Sequence, residues 1–201
     1  MLNRTDVTEL HYITAIANVP SILRHGILSH ALAERLAHDS VAMPEIQERR
    51  SNKQIPGARP LHEYANLYFD AHNPMLSRCR ARNAEICVLR VEASVLDQAG
   101  VIVTDRNAAS DWVRFSPVAD GLAGINQERL FARFWLHRDD PYEEMRHKSE
   151  KCAEVLVLDR VDTTRIVGAY VANQAAQASL QQLNTGLPMQ IRGNMFFQGD
   201  A

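Results

Sequence analysis

Lys151-Cys152-Ala153-Glu154-Val155-Leu156-Val157-Leu158 is the stretch from which the fold reads outward. Its short apolar run with two valines predicts a β-strand. Side chains alternate between the faces of a strand, so Glu154 shares a face with Leu156 and Leu158. A carboxylate on an apolar strand costs free energy unless water or a partner reaches it. Glu154 is therefore either a rim residue with its head in water or a working residue, and the rest of the chain has to decide.

Upstream, Leu10 to Thr14 reads as a first strand. Asn18-Val19-Pro20-Ser21 opens a short helix with proline in its first turn, and Gly26 falls where a left-handed cap would end it. Residues 31–37 and a segment opened by Pro44 read as further short helices. Residues 51–60, with two prolines and a glycine, form a polar loop. Further strands are expected at 67–69, 85–91, 101–104 and 166–171. Residues 126–135 and 175–183 are expected to be helical, and 137–151 a polar loop with one charged helical turn. Short strands, short helices and irregular connections make this an α+β chain, without the regular alternation of a doubly wound sheet.

At 201 residues with 46% hydrophobic content, one domain over 1–201 is expected. No apolar run is long enough for a membrane span, and the polar start lacks a signal-peptide core, so a cytoplasmic location and no membrane partner are expected. Three cysteines without a CxxC pair and eight histidines without ligand spacing give no expectation of a metal. Any nucleotide must be held without a Walker or GxGxxG motif. The net charge of −2 does not advertise a nucleic-acid binder. Arg49, Arg50, Lys53 and Arg59 nevertheless cluster, as do Arg78, Arg80 and Arg82, and local basic patches suit phosphate.

Several blocks, taken in order, resemble the DarT family: Leu10 to Thr14, Asn18 to Leu28, Ile46 to Arg50, Leu61 to Tyr64, Leu67 to Leu76 with its Asn73-Pro74-Met75-Leu76, Thr104-Asp105-Arg106, Arg114-Phe115, and Lys151 to Val157. The resemblance implies an ADP-ribosyltransferase-like fold, with two small packed β-sheets around an NAD cleft and flanking short helices. It implies transfer of ADP-ribose from NAD to a thymine or guanine of single-stranded DNA, by a toxin whose partner is an antitoxin such as a macrodomain or another ADP-ribosyl hydrolase. It makes Glu154 and Arg50 the catalytic pair. By the same resemblance His11, Tyr12, Thr14, Gly26, Leu28, Arg50 and Tyr68 face NAD. Phe69, His72, Asn73, Arg78 and Trp112 are candidates for the nucleic acid, aromatic groups stacking bases and the polar ones meeting phosphate.

The chemistry suits these residue types. Breaking a nicotinamide–ribose bond builds positive charge on the sugar, which a fixed carboxylate stabilises. A diphosphate favours arginine, whose planar fork makes paired contacts that lysine cannot copy. A base must be unstacked before it reacts, which favours single strands. The competing readings are transfer to RNA or protein, an NAD-dependent phosphotransferase, and a non-enzymatic nucleic-acid or NAD-binding module.

Overall fold

Strand β1 (Glu9–Ala15) is the hinge of the architecture in the computed structural model, which describes residues 1–199. Helix α1 (Val19–His25) follows, then the short strand β2 (Ile27–Leu28) and helices α2 (His30–Ala33) and α3 (Pro44–Ser51). Strand β3 (Tyr64–Tyr68), helix α4 (Pro74–Arg78), and strands β4 (Ile86–Glu92), β5 (Ile102–Thr104) and β6 (Phe115–Pro117) come next. Helices α5 (Val118–Gly124), α6 (Gln127–Leu130) and α7 (Pro141–Glu150) lead to β7 (Glu154–Leu158). Strands β8 (Arg160–Val161) and β9 (Ile166–Val171), helix α8 (Gln174–Gln181) and strand β10 (Met189–Ile191) complete the order.

Eight strands join in the order β10-β9-β4-β1-β3-β7-β5-β6, and β2 pairs with β8. The large sheet is divided in its middle. β1 pairs with β4 from Glu9↔Glu92 to Ala15↔Ile86, and β3 pairs with β7 from Tyr64↔Leu158 to Tyr68↔Glu154. Between β1 and β3 the ladder registers at His11↔Tyr68 alone. Two four-stranded halves thus meet at one residue pair and splay apart beyond it. The expected α+β architecture is present, its two sheets fused at that point.

Packing follows the two-residue period of the strands. Leu10, Leu67, Leu89, Val155 and Val157 enter the main core. Ile13, Tyr68, Val88 and Tyr170 enter a second core with Leu76 and Phe196. Leu156 belongs to a third, with Ile55, Leu61, Tyr64 and Ala108. This third core lays the 52–61 loop and the 105–110 turn over the face that carries Glu154. Gly26 ends α1 at φ +86°, where a Cβ would lie 2.3 Å from the Val161 carbonyl oxygen. Only glycine fits the corner that returns the chain to the β2–β8 ladder.

Two expected elements differ. The helix expected over 126–135 stops at Leu130. The Arg129 carbonyl accepts from His147 Nε2 at 3.0 Å and the Leu130 carbonyl from Lys151 Nζ at 2.7 Å. Those carbonyls would otherwise have served the next turn. The single charged helical turn expected within 137–151 is instead a ten-residue helix, α7. Asp140 caps it by accepting from Glu143 N at 2.9 Å, and Pro141 occupies its first position, so the Asp-Pro pair starts a helix here. Lys148 to Glu144 and Arg146 to Glu150 pairs one turn apart support it.

Candidate active site

The splay between β1 and β3 opens a cleft of about 420 Å³, lined from both strands by Tyr12, Thr14, Tyr64, Asn66 and Tyr68. Helix α3 closes one side with Gln47, Arg49 and Arg50; Asn107, Ala109 and Ser110 close another. Lys53 Nζ donates to the Ser110 carbonyl at 2.9 Å and so ties these two walls together.

Glu154 is 0% exposed, which excludes a rim carboxylate with its head in water. Its Oε1 accepts from the Ala108 backbone N–H at 2.8 Å and from Arg50 Nη1 at 3.1 Å, and its Oε2 accepts from the same Nη1 at 3.0 Å. The backbone around it is fixed as well. Its N–H donates to Thr104 Oγ1 at 2.9 Å, and that hydroxyl donates to the Arg106 carbonyl at 2.7 Å. Thr104 thereby extends the β5–β7 pairing one step past Val103↔Val155. A buried charge needs partners of this kind, because desolvation without them costs several kcal/mol. Arg50 lines the cleft and Glu154 does not, so the guanidinium is the face that the pair presents to a ligand.

Two other groups respond to this carboxylate. Burial first, and the charge of Glu154 second, push the Tyr68 phenol well above its ordinary value, so it stays neutral. Burial, with Glu154 adding to it, pushes the Cys152 thiol up to about 12, leaving it a packing residue and no nucleophile.

The cleft gathers Tyr12, Thr14, Leu28, Arg50, Tyr68 and Arg78 from the residues expected at the ligands. Glu154 stands directly behind Arg50. The remaining expected residues lie elsewhere. His11 points to the other face of β1, where Nδ1 meets the Phe69 carbonyl at 3.2 Å and Nε2 meets Glu9 at 3.1 Å. Gly26 makes the corner beside Val161. Phe69 is buried in the main core. Asn73 is a fully buried helix cap, its Oδ1 accepting from Leu76 N at 3.0 Å and its Nδ2 donating to the Asp70 carbonyl at 2.8 Å. His72 stacks on Phe197 and reaches the carbonyls of Met195 and Arg133. Trp112 is 81% exposed, two residues beyond the cleft wall at Ser110. Sequence reasoning missed Thr104 and the Ala108 N–H as the groups that hold Glu154, and Tyr64, Asn66, His62 and Gln47 as cleft residues.

The family model described as ssDNA thymidine ADP-ribosyltransferase, DarT, matches residues 11–197. The chain belongs to the DarT family. A Thermosipho africanus DNA ADP-ribosyl transferase–DNA ADP-ribosyl glycohydrolase fusion protein is 32% identical over 199 residues. That match takes in 94% of this chain and 49% of the fusion, so the chain spans about half the length of that relative. Thermus sp. 2.9 DarT in complex with ADP-ribosylated ssDNA superposes with a TM-score of 0.77 at 27% identity, covering 94% of this DarT-family chain and 96% of the other. Thermus sp. 2.9 DarT in complex with NAD+ gives 0.73 at 25% identity, covering 94% and 98%.

Proposed function

We propose that this DarT-family chain transfers ADP-ribose from NAD to thymine in single-stranded DNA, with Arg50 and Glu154 as its catalytic pair. The observation that carries the reading is the buried Arg50–Glu154 pair on the wall of a cleft formed where the sheet divides. Family membership supports the substrates: the family description specifies thymidine, and Thermus relatives are seen with NAD+ and with ADP-ribosylated ssDNA. The cleft fits NAD as a co-substrate. Arg50 and Arg78 offer guanidinium groups to a diphosphate, while Tyr12, Tyr64, Ile13, Leu28 and Met75 offer ring and apolar surface. Its volume lies within the ~300–1,000 Å³ usual for small-molecule sites.

NAD supplies an ADP-ribosyl group whose anomeric carbon carries a cationic leaving group. Arg50 meets phosphate and Glu154 fixes the direction of its guanidinium, an arrangement set before any ligand arrives. Such preorganisation is where electrostatic catalysis gains its size, because no dipole has to turn as charge develops. The carboxylate, buried behind Arg50, would favour the developing positive charge through space, in a site shielded from water. Tyr68, held neutral, supplies ring surface and a hydroxyl dipole without adding a competing anion. The incoming base would lie beside the Asn107–Ser110 wall, because Trp112, two residues beyond it, is exposed and an exposed indole suits stacking of a neighbouring base.

In this reading the chain acts as a toxin, and its antitoxin removes ADP-ribose from DNA, the activity named in the second part of the Thermosipho fusion. Among the described residues no helix is long and apolar enough to cross a membrane. The test is incubation with labelled NAD and matched oligonucleotides, followed by mass analysis of the bases. Thymine-linked ADP-ribose on single strands supports the proposal. Labelling confined to RNA, to protein or to guanine overturns it in favour of another acceptor.

A further inference from the structure

On the α3 side of the cleft two polar atoms stand buried without hydrogen-bond partners among the described residues: His62 Nε2 and Gln47 Oε1. Both residues line the cleft. Buried polar groups in folded proteins are nearly always paired, and one left open costs about 1–3 kcal/mol. Two such atoms on one wall mark a place where a ligand completes the bonding.

Their chemistry says what kind of ligand group. His62 interacts with the backbone carbonyl of Gln47, and since its Nε2 is the open nitrogen, Nδ1 is the one that faces this carbonyl. A carbonyl only accepts, so Nδ1 carries the proton and Nε2 presents a lone pair. Gln47 Oε1 is likewise an acceptor. The groups around the imidazole keep it in that form. Burial lowers its pKa first, and His30 of α2 and Arg50 of α3 lower it further, against weaker support for the cation from Glu34 and the Gln47 carbonyl. Glu63 on its own turn is engaged with Arg59. The His30 ring lies 4.1 Å from the His62 ring, centre to centre, and limits its rotation.

We propose that His62 and Gln47 form an acceptor pair that positions NAD by binding an exocyclic –NH2 group, which brings two N–H donors. The inference rests on the proposed use of NAD. The molecule holds two such groups, the carboxamide of nicotinamide and the 6-amino group of adenine. The acceptor pair suits either and rejects a carbonyl or methyl in its place, because these leave both acceptors unpaired. His62 is a positioning residue in this account, acting on binding and not on the breaking bond.

Calorimetry with NAD, 3-acetylpyridine adenine dinucleotide and nicotinamide hypoxanthine dinucleotide tests it on the wild type, His62→Leu and His62→Gln. The wild type is expected to bind one analogue about thirtyfold more weakly than NAD, the loss of two buried hydrogen bonds; the acetylpyridine analogue implicates the carboxamide, the hypoxanthine analogue the adenine. His62→Leu should reduce NAD affinity about fivefold and shrink that discrimination by a similar factor, since Gln47 keeps one of the two contacts. His62→Gln, which restores an acceptor, should recover most of both, an effect that mere loss of packing would not give. Discrimination that stays at the wild-type level in folded His62→Leu, or equal wild-type affinity for all three dinucleotides, overturns the inference. Wild-type protein that binds no dinucleotide overturns the proposed function itself, and the inference with it.

Discussion

Replacing Glu154 by Gln removes one charge and almost no volume, and the structure sets what that should do. Gln can keep an acceptor toward the Ala108 N–H, now 2.8 Å from Oε1, and toward one contact from Arg50. It cannot supply the negative charge that both carboxylate oxygens offer Arg50 Nη1 at 3.0 and 3.1 Å. The exchange weakens a charge-assisted contact to a neutral one, a difference of about 1–2 kcal/mol in stability. For a chain of this size that lowers Tm by roughly 2–8 °C. The effect on transfer should be larger. Arg50 loses its fixed orientation and the buried negative charge of the site disappears, so the rate should fall by about 10²–10³, the usual loss for one preorganised electrostatic group.

Glu154→Ala is the poorer experiment. It strips Arg50 and the Ala108 N–H of their buried partner at once, and breaking one side of a buried pair costs about 3–5 kcal/mol. That is a large share of a typical domain's ~5–15 kcal/mol, so lost activity could simply be lost fold. The informative assay is initial-rate labelling of a single-stranded oligonucleotide by wild type and Glu154→Gln, with melting curves on the same samples. A Glu154→Gln protein that transfers at near the wild-type rate would refute the assignment of the pair, whatever its Tm.

Arg50→Ala should weaken NAD binding or turnover at least tenfold, whereas Arg49→Ala should change either by less than about threefold, since Arg49 is exposed and Arg50 is buried on Glu154; calorimetry and kinetics on both variants check this, and equal effects would point to a diffuse basic patch. Lys151→Met should destabilise the fold by about 3 kcal/mol, the low end for breaking a buried pair, because its fully buried Nζ serves Asp70 and the Leu130 carbonyl and Asp70 retains some water; urea unfolding measures it. Duplex DNA should be a poor acceptor beside the matched single strand, since a net charge of −2 offers few phosphate contacts to offset base opening; a gel comparison with labelled NAD decides. Burial raises the Glu9 carboxyl, but hydrogen bonds from His11, Tyr170 and Arg90 outweigh it and hold it at about 2; its contribution to stability is therefore complete above 4.5, its ordinary value, and disappears as pH falls toward 2. Unfolding of Glu9→Gln should accordingly depend less on pH across that interval than unfolding of the wild type.

The strands were legible because burial on both faces demands apolar, β-branched runs, as in Ile86 to Val91 and Glu154 to Leu158. Gly26 was legible because a helix must end and only glycine fits that corner. Helix α7 was not, because Asp140-Pro141 reads as a break unless the chain beyond it is known to turn helical. The catalytic candidates split in the same manner. Glu154 was noticeable as a polar residue where an apolar one was expected. The groups that hold it were not: a backbone N–H at Ala108 has no residue-type signature, and Thr104 looks like any strand-ending threonine. Asn73 and His72 sit in a block that reads as a nucleic-acid contact, yet their side chains are consumed by a helix cap and by the Met195 and Arg133 carbonyls. Local sequence shows that a polar residue is present; the tertiary structure determines whether its bonds are already spent.

The same accounting connects the divided sheet to the cleft. If β1 and β3 paired along their length, Tyr12, Thr14, Asn66 and Tyr68 would have their backbones closed in one continuous ladder, and there would be no opening for a dinucleotide. Pairing at His11↔Tyr68 alone keeps the halves in one sheet while leaving the rest of the seam to a ligand. Tyr68 also pairs with Glu154 on its other side, so the residue that closes the seam is the neighbour of the candidate catalytic carboxylate. A shift of one residue in β3 would move Tyr68 off this position and turn its side chain to the opposite face. The register that opens the cleft is thus the register that aligns its chemistry. Substitutions that loosen β3 against β7, such as Leu67→Ala in the main core, should therefore impair transfer more than equally destabilising changes at the β9–β10 edge. Transfer rates compared at matched Tm test this, and equal losses would uncouple the seam from the site.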